Sequence, residues 1–310
     1  MAVAGSNPER SVFQDWMTAI TRRRIRSIRL ITQLIMFVLV NGVIIGLSRV
    51  PFPAPISFPA GSPFGTVWGG LDAIQFILTR GQFPFLVFGL FFLTGATVGK
   101  LFCGWACPVG LWQDLLAIFP LKKTKISKPD NKAFQDISGF ILWFVVGWSA
   151  WIGFQRIDRG NLEENFFTSI PYGFIDPAGT LFITLWYAFT WKILPGENSF
   201  DAIDSMGTMF LWKMGALLVI MFISMKVPRA YCRWVCPTGA LLGYMSKNSI
   251  LTVKRDPLKC TDGCKACEDA CPMGVPITDE DPDGIANSLC INCGNCIDAC
   301  PEAMSFGFRL

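Results

Sequence analysis

The chain has no histidine among its 310 residues. That absence excludes His-ligated haem b and, with no C-x2-C-H run, c-type haem attachment. It also excludes zinc or copper sites built on imidazole. Charge is scarce. Only 16% of the residues are Asp, Glu, Lys or Arg, against roughly 25% in soluble domains. Tyrosine is sparse too, 4 residues beside 27 Phe and 11 Trp. With 52% hydrophobic residues and a mean hydropathy of +0.43, the shortfall of charge points to a membrane protein. The net charge of +4 is too small to call for a nucleic-acid partner. A cleavable leader is not expected. Six arginines stand by position 29, and the apolar run after them has no small-residue cleavage site, so it reads as a retained span.

Cysteine, by contrast, is abundant, with 12 residues. Eight lie between Cys260 and Cys300 in two groups of four, spaced C-x3-C-x2-C-x3-C-P and C-x2-C-x2-C-x3-C-P. A disulfide framework belongs to small secreted domains, whereas this spacing fits iron–sulfur clusters. Three closely spaced thiolates wrap one [4Fe–4S] cluster and the fourth, before proline, crosses to the other. Cys260, Cys264, Cys267 and Cys300 are therefore expected to hold one cluster, and Cys290, Cys293, Cys296 and Cys271 the second.

Ahead of this run lie four apolar stretches, at about residues 30–47, 83–102, 137–154 and 208–225, each near the ~20 residues that cross a bilayer. Basic residues crowd the N-terminus, the loop carrying Lys122, Lys123, Lys125, Lys128 and Lys132, and the region from Lys226 to Lys265. The positive-inside rule places all three on the cytoplasmic side of the inner membrane. Residues 177–194 are a fifth apolar stretch. They read as an interfacial or re-entrant helix, because a fifth span would conflict with the basic-residue pattern. An internal repeat agrees with this count. SPFGTVW from Ser62 and DPAGTLF from Asp176 both fit a capped short outer helix. CGWACPVG and CRWVCPTG share the pattern C-x-W-x-C-P-x-G. Residues 28–112 and 137–244 thus look like two copies of one unit.

Cys103 and Cys107, like Cys232 and Cys236, are four apart, which on a helix places both thiols on one face. Pro108 and Pro237 either limit that helix or start another. Three readings stand open for these four cysteines. They hold a third iron–sulfur cluster or other metal centre, they form redox-active or structural thiol pairs, or they pack helix ends as small buried side chains. Trp105 and Trp234 likewise fit ordinary interfacial aromatics. Asp72, Glu163 and Asp176 are outer-side candidates for proton transfer, though capping or solvated surface is the better explanation of each.

Four spans, two CxxxCP motifs (Cys103/Cys107 and Cys232/Cys236) and a C-terminal two-cluster segment together resemble the NapH-type membrane ferredoxins, which share this core with the NosR, CcoG/RdxA and MauN proteins. The resemblance covers about residues 20–308. It implies membrane electron transfer, usually quinol oxidation feeding a partner, with the eight C-terminal cysteines as cluster ligands. The chain departs from this pattern in having three residues between Cys260 and Cys264, where the usual number is two. Neither the large outer flavin-binding domain of NosR-like proteins nor the further C-terminal domain of CcoG-like ones is expected here.

The expected fold is an all-α membrane bundle of four transmembrane helices, in two inverted-hairpin-like repeats with outer short helices, plus a small α+β bacterial-type two-cluster ferredoxin domain. The expected division is 1–27 cytoplasmic basic segment, 28–248 transmembrane domain and 249–310 cytoplasmic ferredoxin domain. The expected function is a membrane-bound iron–sulfur electron-transfer subunit between the quinone pool and a partner oxidoreductase, whose other subunits are iron–sulfur or cytochrome proteins. The alternatives are a metal-ion or thiol reductase using the CxxxCP pairs, and an assembly or anchor subunit of a redox complex.

Overall fold

The longest element begins with a strong start signal. Ser127 caps it by accepting a hydrogen bond from the Asp130 amide at 3.3 Å, Pro129 sits in the first turn, and Arg156 and Arg159 occupy the last. The resulting helix runs from Lys128 to Arg159, 32 residues or about 48 Å at 1.5 Å per residue. In a computed structural model the chain is described over residues 24–40, 58–59, 67–68, 70–119, 121–124, 126–160, 171–174, 176–181, 207–260 and 263–309.

The helices in chain order are α1 (Arg24–Val40), α2 (Gly70–Thr79), α3 (Phe85–Val98), α4 (Leu101–Trp105), α5 (Pro108–Leu116) and α6 (Lys128–Arg159). They continue with α7 (Gly207–Lys226), α8 (Ala230–Trp234), α9 (Pro237–Ser246), α10 (Ala266–Asp269) and α11 (Asn295–Ala299). A two-residue ribbon, β1 (Phe58–Pro59) with β2 (Val67–Trp68), precedes α2. Strands β3 (Leu251–Arg255) and β4 (Met304–Phe308) pair antiparallel with Val253 opposite Phe306.

Among the described residues α6 is long and apolar enough to cross a membrane. It buries a stripe of Asn131, Ser138, Leu142, Val145, Ser149 and Ile152. Its opposite face exposes Phe140, Trp143, Phe144, Trp148, Trp151 and Phe154. Helix α7 has 20 residues, about 30 Å.

The expected second span, 83–102, is not one helix. Helix α3 has 14 residues and stops at Gly99, whose φ of +64° favours glycine. Helix α4 then restarts after Lys100. The first expected span begins earlier than expected, at Arg24, and its residues 41–47 lie outside the described residues. So do Ser62, Pro63 and Glu163, and 182–194 of the fifth stretch. The short outer helix of the first copy starts at Gly70, with β2 occupying residues expected to be helical. In the second copy, the Asp176 carboxylate accepts from the Gly179 amide at 2.7 Å, the capping role its sequence suggests.

The core of the helical body packs α2, α3, α6 and α9 around Ile74, Phe91, Leu142 and Leu242. Contact is close enough that a Cβ on Gly153 of α6 would lie 2.1 Å from the Leu78 carbonyl oxygen. Small residues at such crossings let backbones approach. A second core, of Val253, Met273, Val275, Ile277, Ile285, Leu289, Ile291 and Met304, surrounds the C-terminal cysteines. The two bodies are joined directly. The Ile250 amide donates to the Ala96 carbonyl at 2.9 Å, and the Asn292 side-chain amide to the Val98 carbonyl at 3.3 Å.

Candidate functional site: twelve cysteines at the junction of two bodies

The two CxxxCP motifs fold alike. In each, the first cysteine is the third residue of a five-residue helix, and the second is the N-cap of the next helix with proline at its first position. The amides of Ala106 and Cys107 both donate to the Phe102 carbonyl, and those of Val235 and Cys236 to Tyr231. The residue before the second cysteine has the same backbone in both copies, φ −119°. So Cys103 and Cys107 do not share one continuous helix face, and neither do Cys232 and Cys236. Proline starts a new helix because it lacks the amide that a helix interior requires.

The two motifs still meet: Cys103 and Cys232 pack on one apolar core, Gln113 of α5 reaches Cys232, and Arg229 ahead of α8 reaches the Cys103 carbonyl. Burial pushes the Cys103 thiol up to about 11 and Cys232 to about 12, against the pull of Arg229. Gln113 donates from Nε2 to the Cys232 Sγ at 3.0 Å, and Cys236 Sγ accepts from the Gly239 amide at 3.3 Å.

The eight C-terminal cysteines line two cavities. One is an open cleft of about 620 Å³ walled by Cys260, Cys264, Cys267 and Cys300, with Lys259, Lys265 and Leu258's neighbour Pro257 at its rim. The other is narrow and apolar, walled by Cys271, Cys290, Cys293 and Cys296 among Val253, Val275, Ile277 and Ile285. In each cavity three cysteines come from one sequence motif and the fourth from the other. Burial pushes Cys271 up to about 11 and Cys290 to about 12. Among the described residues no three Cys, Asp or Glu side chains stand in an arrangement that would hold a single metal ion. A single ion needs its sulfur ligands about 2.3 Å from one point. A four-iron cube holds its thiolates further apart, so four thiols ringing a cavity fit a cluster better than an ion.

The narrow cavity lies against the CxxxCP motifs. Cys103 and Cys232 pack on its apolar core. The Trp105 indole Nε1 donates to the Asn292 carbonyl at 2.9 Å, between Cys290 and Cys293. A Cβ on Gly104 would lie 2.5 Å from the Ile291 carbonyl oxygen. Trp234 donates instead to Asn131 Oδ1 at 3.2 Å on α6. The two tryptophans thus pin the junction from both sides, beyond generic interfacial packing.

Several site residues were not visible in the sequence. Asp114 accepts from Arg229 Nε at 2.8 Å and NH2 at 2.6 Å, and from Arg29 NH2 at 3.3 Å. Arg229 also donates to the Cys103 carbonyl at 3.0 Å, and Arg29 to Asn295 Oδ1 at 3.1 Å beside Cys296. Burial alone would raise Asp114, but the Arg229 charge and hydrogen bonds, with Arg29, hold it below its ordinary value. Arg229 is fully buried with φ +55°. A polar line runs on from the cysteines. The Tyr231 amide donates to Gln113 Oε1, the Tyr231 and Tyr172 hydroxyls meet at 2.9 Å, and the Tyr172 amide donates to Gln75 Oε1 at 2.8 Å. Gln75 in turn donates to Asp72 at 3.3 Å. The one signal in the sequence was the repeat itself. Lys100 and Arg229 stand at the same place, three residues before the first cysteine of each motif.

Comparison with known proteins follows the same division. The family described as a 4Fe-4S binding domain matches twice, at residues 81–127 and 208–257, once per CxxxCP motif. The 4Fe-4S dicluster domain family matches residues 259–304. YccM of Escherichia coli, whose name marks an electron transport protein, is 26% identical over 78% of this chain and 61% of its own length. MJ0749 of Methanocaldococcus jannaschii is 27% identical over 67% of this chain and 64% of its own. The ferredoxin-type protein NapH of Haemophilus influenzae is 29% identical over 66% and 60%. The chain spans less than two-thirds of the length of each of these three relatives. No solved structure matches it. The duplicated 4Fe-4S-binding match, the dicluster match and the NapH, RdxA and YccM relatives agree, and together they support a NapH-type membrane ferredoxin, an iron–sulfur protein of the electron-transport kind.

Proposed function

We propose that the chain carries electrons between the quinone pool and a partner oxidoreductase through two [4Fe–4S] clusters. Cys260, Cys264, Cys267 and Cys300 would hold the outer one, and Cys271, Cys290, Cys293 and Cys296 the inner one. The observation that carries this reading is the pair of four-thiol cavities, each drawing one cysteine across from the other motif. When bound, such clusters supply one-electron transfer at potentials set by charge, hydrogen bonding and exposure. The chain's own residues do the rest. The inner set is shielded by Val253, Val275 and Ile285, while the outer set opens to solvent. The electron path would run from the membrane body past Cys103 and Cys232 to the inner site, then to the outer site and the partner. Asp72, which accepts from Gln75, would take up a quinol proton, and the paired Tyr172 and Tyr231 hydroxyls add a second polar site within the body. The meeting of the two CxxxCP motifs supports a third iron–sulfur centre at the head of that path.

The body would cross the inner membrane four times with the cysteine motifs on the cytoplasmic side. The aromatic face of α6, exposed along Phe140, Trp143, Trp148, Trp151 and Phe154, suits contact with lipid. The test is reduction of anaerobically purified protein by a quinol analogue, followed by electron paramagnetic resonance, with iron and sulfide analysis alongside. About eight irons and eight sulfides per chain are expected, or about twelve of each with a third cluster. A fully loaded preparation that exchanges electrons with no quinol or quinone analogue would remove the quinone link.

A further inference from the structure

Three buried cations and one partly buried carboxylate gather where the membrane body meets the inner cysteine set. Arg29, Lys100 and Arg229 are 5%, 3% and 0% exposed, and Asp114 serves both arginines. Lys100 Nζ donates to the Ser288 carbonyl at 2.9 Å, two residues before Cys290. Among the described residues no carboxylate stands within ion-pair distance of Lys100. Buried charge without a counter-charge is costly, so the arrangement calls for an anion nearby. The candidates are thiolates. The Lys100 charge acts on both Cys103 and Cys290, and Arg229 on Cys103, Cys107 and Cys232. Arg229 also feels Cys293. Neither cation lines the outer cleft, whose own lysines, Lys259 and Lys265, are exposed. The repeat puts both cations at one position, at the entry to α4 and to α8, so each half delivers one positive charge to the same junction.

We propose that Lys100 and Arg229 are charge-compensating positioning residues that raise the reduction potential of the inner cluster relative to the outer one. This rests on the two-cluster reading above. A cluster held by four thiolates is anionic and becomes more so on taking an electron. A fixed buried cation beside it favours the reduced state, and low dielectric magnifies that effect. The result is an inner site able to accept electrons from the membrane side, with an outer site tuned separately by solvent.

The experiment is a redox titration of the full chain in detergent micelles, with dithionite as reductant and resonance spectra resolving the two clusters. Lys100→Gln is expected to weaken reduction of the inner cluster about tenfold, a fall of ~59 mV for one electron, with the outer midpoint unchanged. Lys100→Arg is expected to restore the wild-type value. A Lys100→Gln protein with full iron and sulfide and an unmoved inner midpoint overturns the proposal. An equal shift in Lys100→Arg also overturns it, since packing would then be the cause. Loss of the inner cluster in Lys100→Gln but not in Lys100→Arg supports the need for charge. If both lose it, Arg229→Gln against Arg229→Lys decides by the same comparison, and equal midpoints, or loss of the cluster in both, overturn it. A wild-type chain without clusters refutes the cluster reading itself.

Discussion

Asp114 is the residue on which three segments meet. It holds Arg229 ahead of α8 and Arg29 on α1, and Arg29 reaches on to Asn295 of α11. Removing one partner of a buried ion pair leaves an uncompensated charge, at a cost of about 3–5 kcal/mol. Asp114→Asn should therefore lower stability by roughly that amount, read as a fall in thermal unfolding midpoint of the purified protein. A midpoint within error of wild type would show that the arginines find other partners. Here lies the limit of what a sequence shows. The twelve cysteines were legible because ligand spacing is local, within four residues. Asp114 was not, because its partners lie 85 and 115 residues away and nothing local marks the pairing. The buried hydroxyl pair Tyr172–Tyr231, 59 residues apart, was hidden for the same reason.

At the scale of elements, the junction depends on close backbone approach. Helix α4 packs so tightly on the inner cysteine loop that Gly104 has no room for a methyl group. The obstacle is backbone, the Ile291 carbonyl, which cannot swing aside as a side chain would. Gly104→Ala should destabilise by about 1–3 kcal/mol through overpacking and disturb the spectrum of the inner cluster before the outer. Gly147→Ala on α6 meets nothing within 4 Å. It should be neutral or stabilise slightly, through helix propensity. Equal behaviour of the two variants in thermal unfolding would contradict the packing account. Trp105→Phe tests the same contact more gently. It removes one hydrogen bond to Asn292, worth about 1 kcal/mol, and should loosen the loop between Cys290 and Cys293. The duplicated elements themselves could be read from C-x-W-x-C-P-x-G, whereas the sequence left open whether Pro108 and Pro237 limit a helix or start one; they start one. The break at Gly99 could not be read, because an unbroken apolar run reads as one helix. The interruption is set by Lys100 turning toward Ser288 of the C-terminal body.

At the scale of the whole molecule, the two-cluster reading proposed above makes the order of the two cysteine cavities the determinant of electron flow. The inner one is enclosed by apolar side chains and backs onto Cys103 and Cys232. The outer one is an open cleft beside Leu258, which is 95% exposed. Because one cysteine of each set crosses over, single substitutions should produce an exchanged pattern. Cys300 belongs by sequence to the second motif, yet it lines the outer cleft with Cys260, Cys264 and Cys267. Cys300→Ser should therefore weaken the outer cluster and leave the inner one reducible. Cys271→Ser, in the first motif, should damage the inner cluster instead. Iron content should fall by about four atoms when either cluster is lost, and the spectra should tell which. The functional consequence separates them further. With Cys300→Ser, reduction of the inner cluster by a quinol analogue should survive while delivery to an external acceptor fails. With Cys271→Ser, electrons from the quinol side should reach neither cluster. If Cys300→Ser instead abolishes the inner signal, the cavities do not mark the clusters, and the order of transfer from membrane to solvent falls with them.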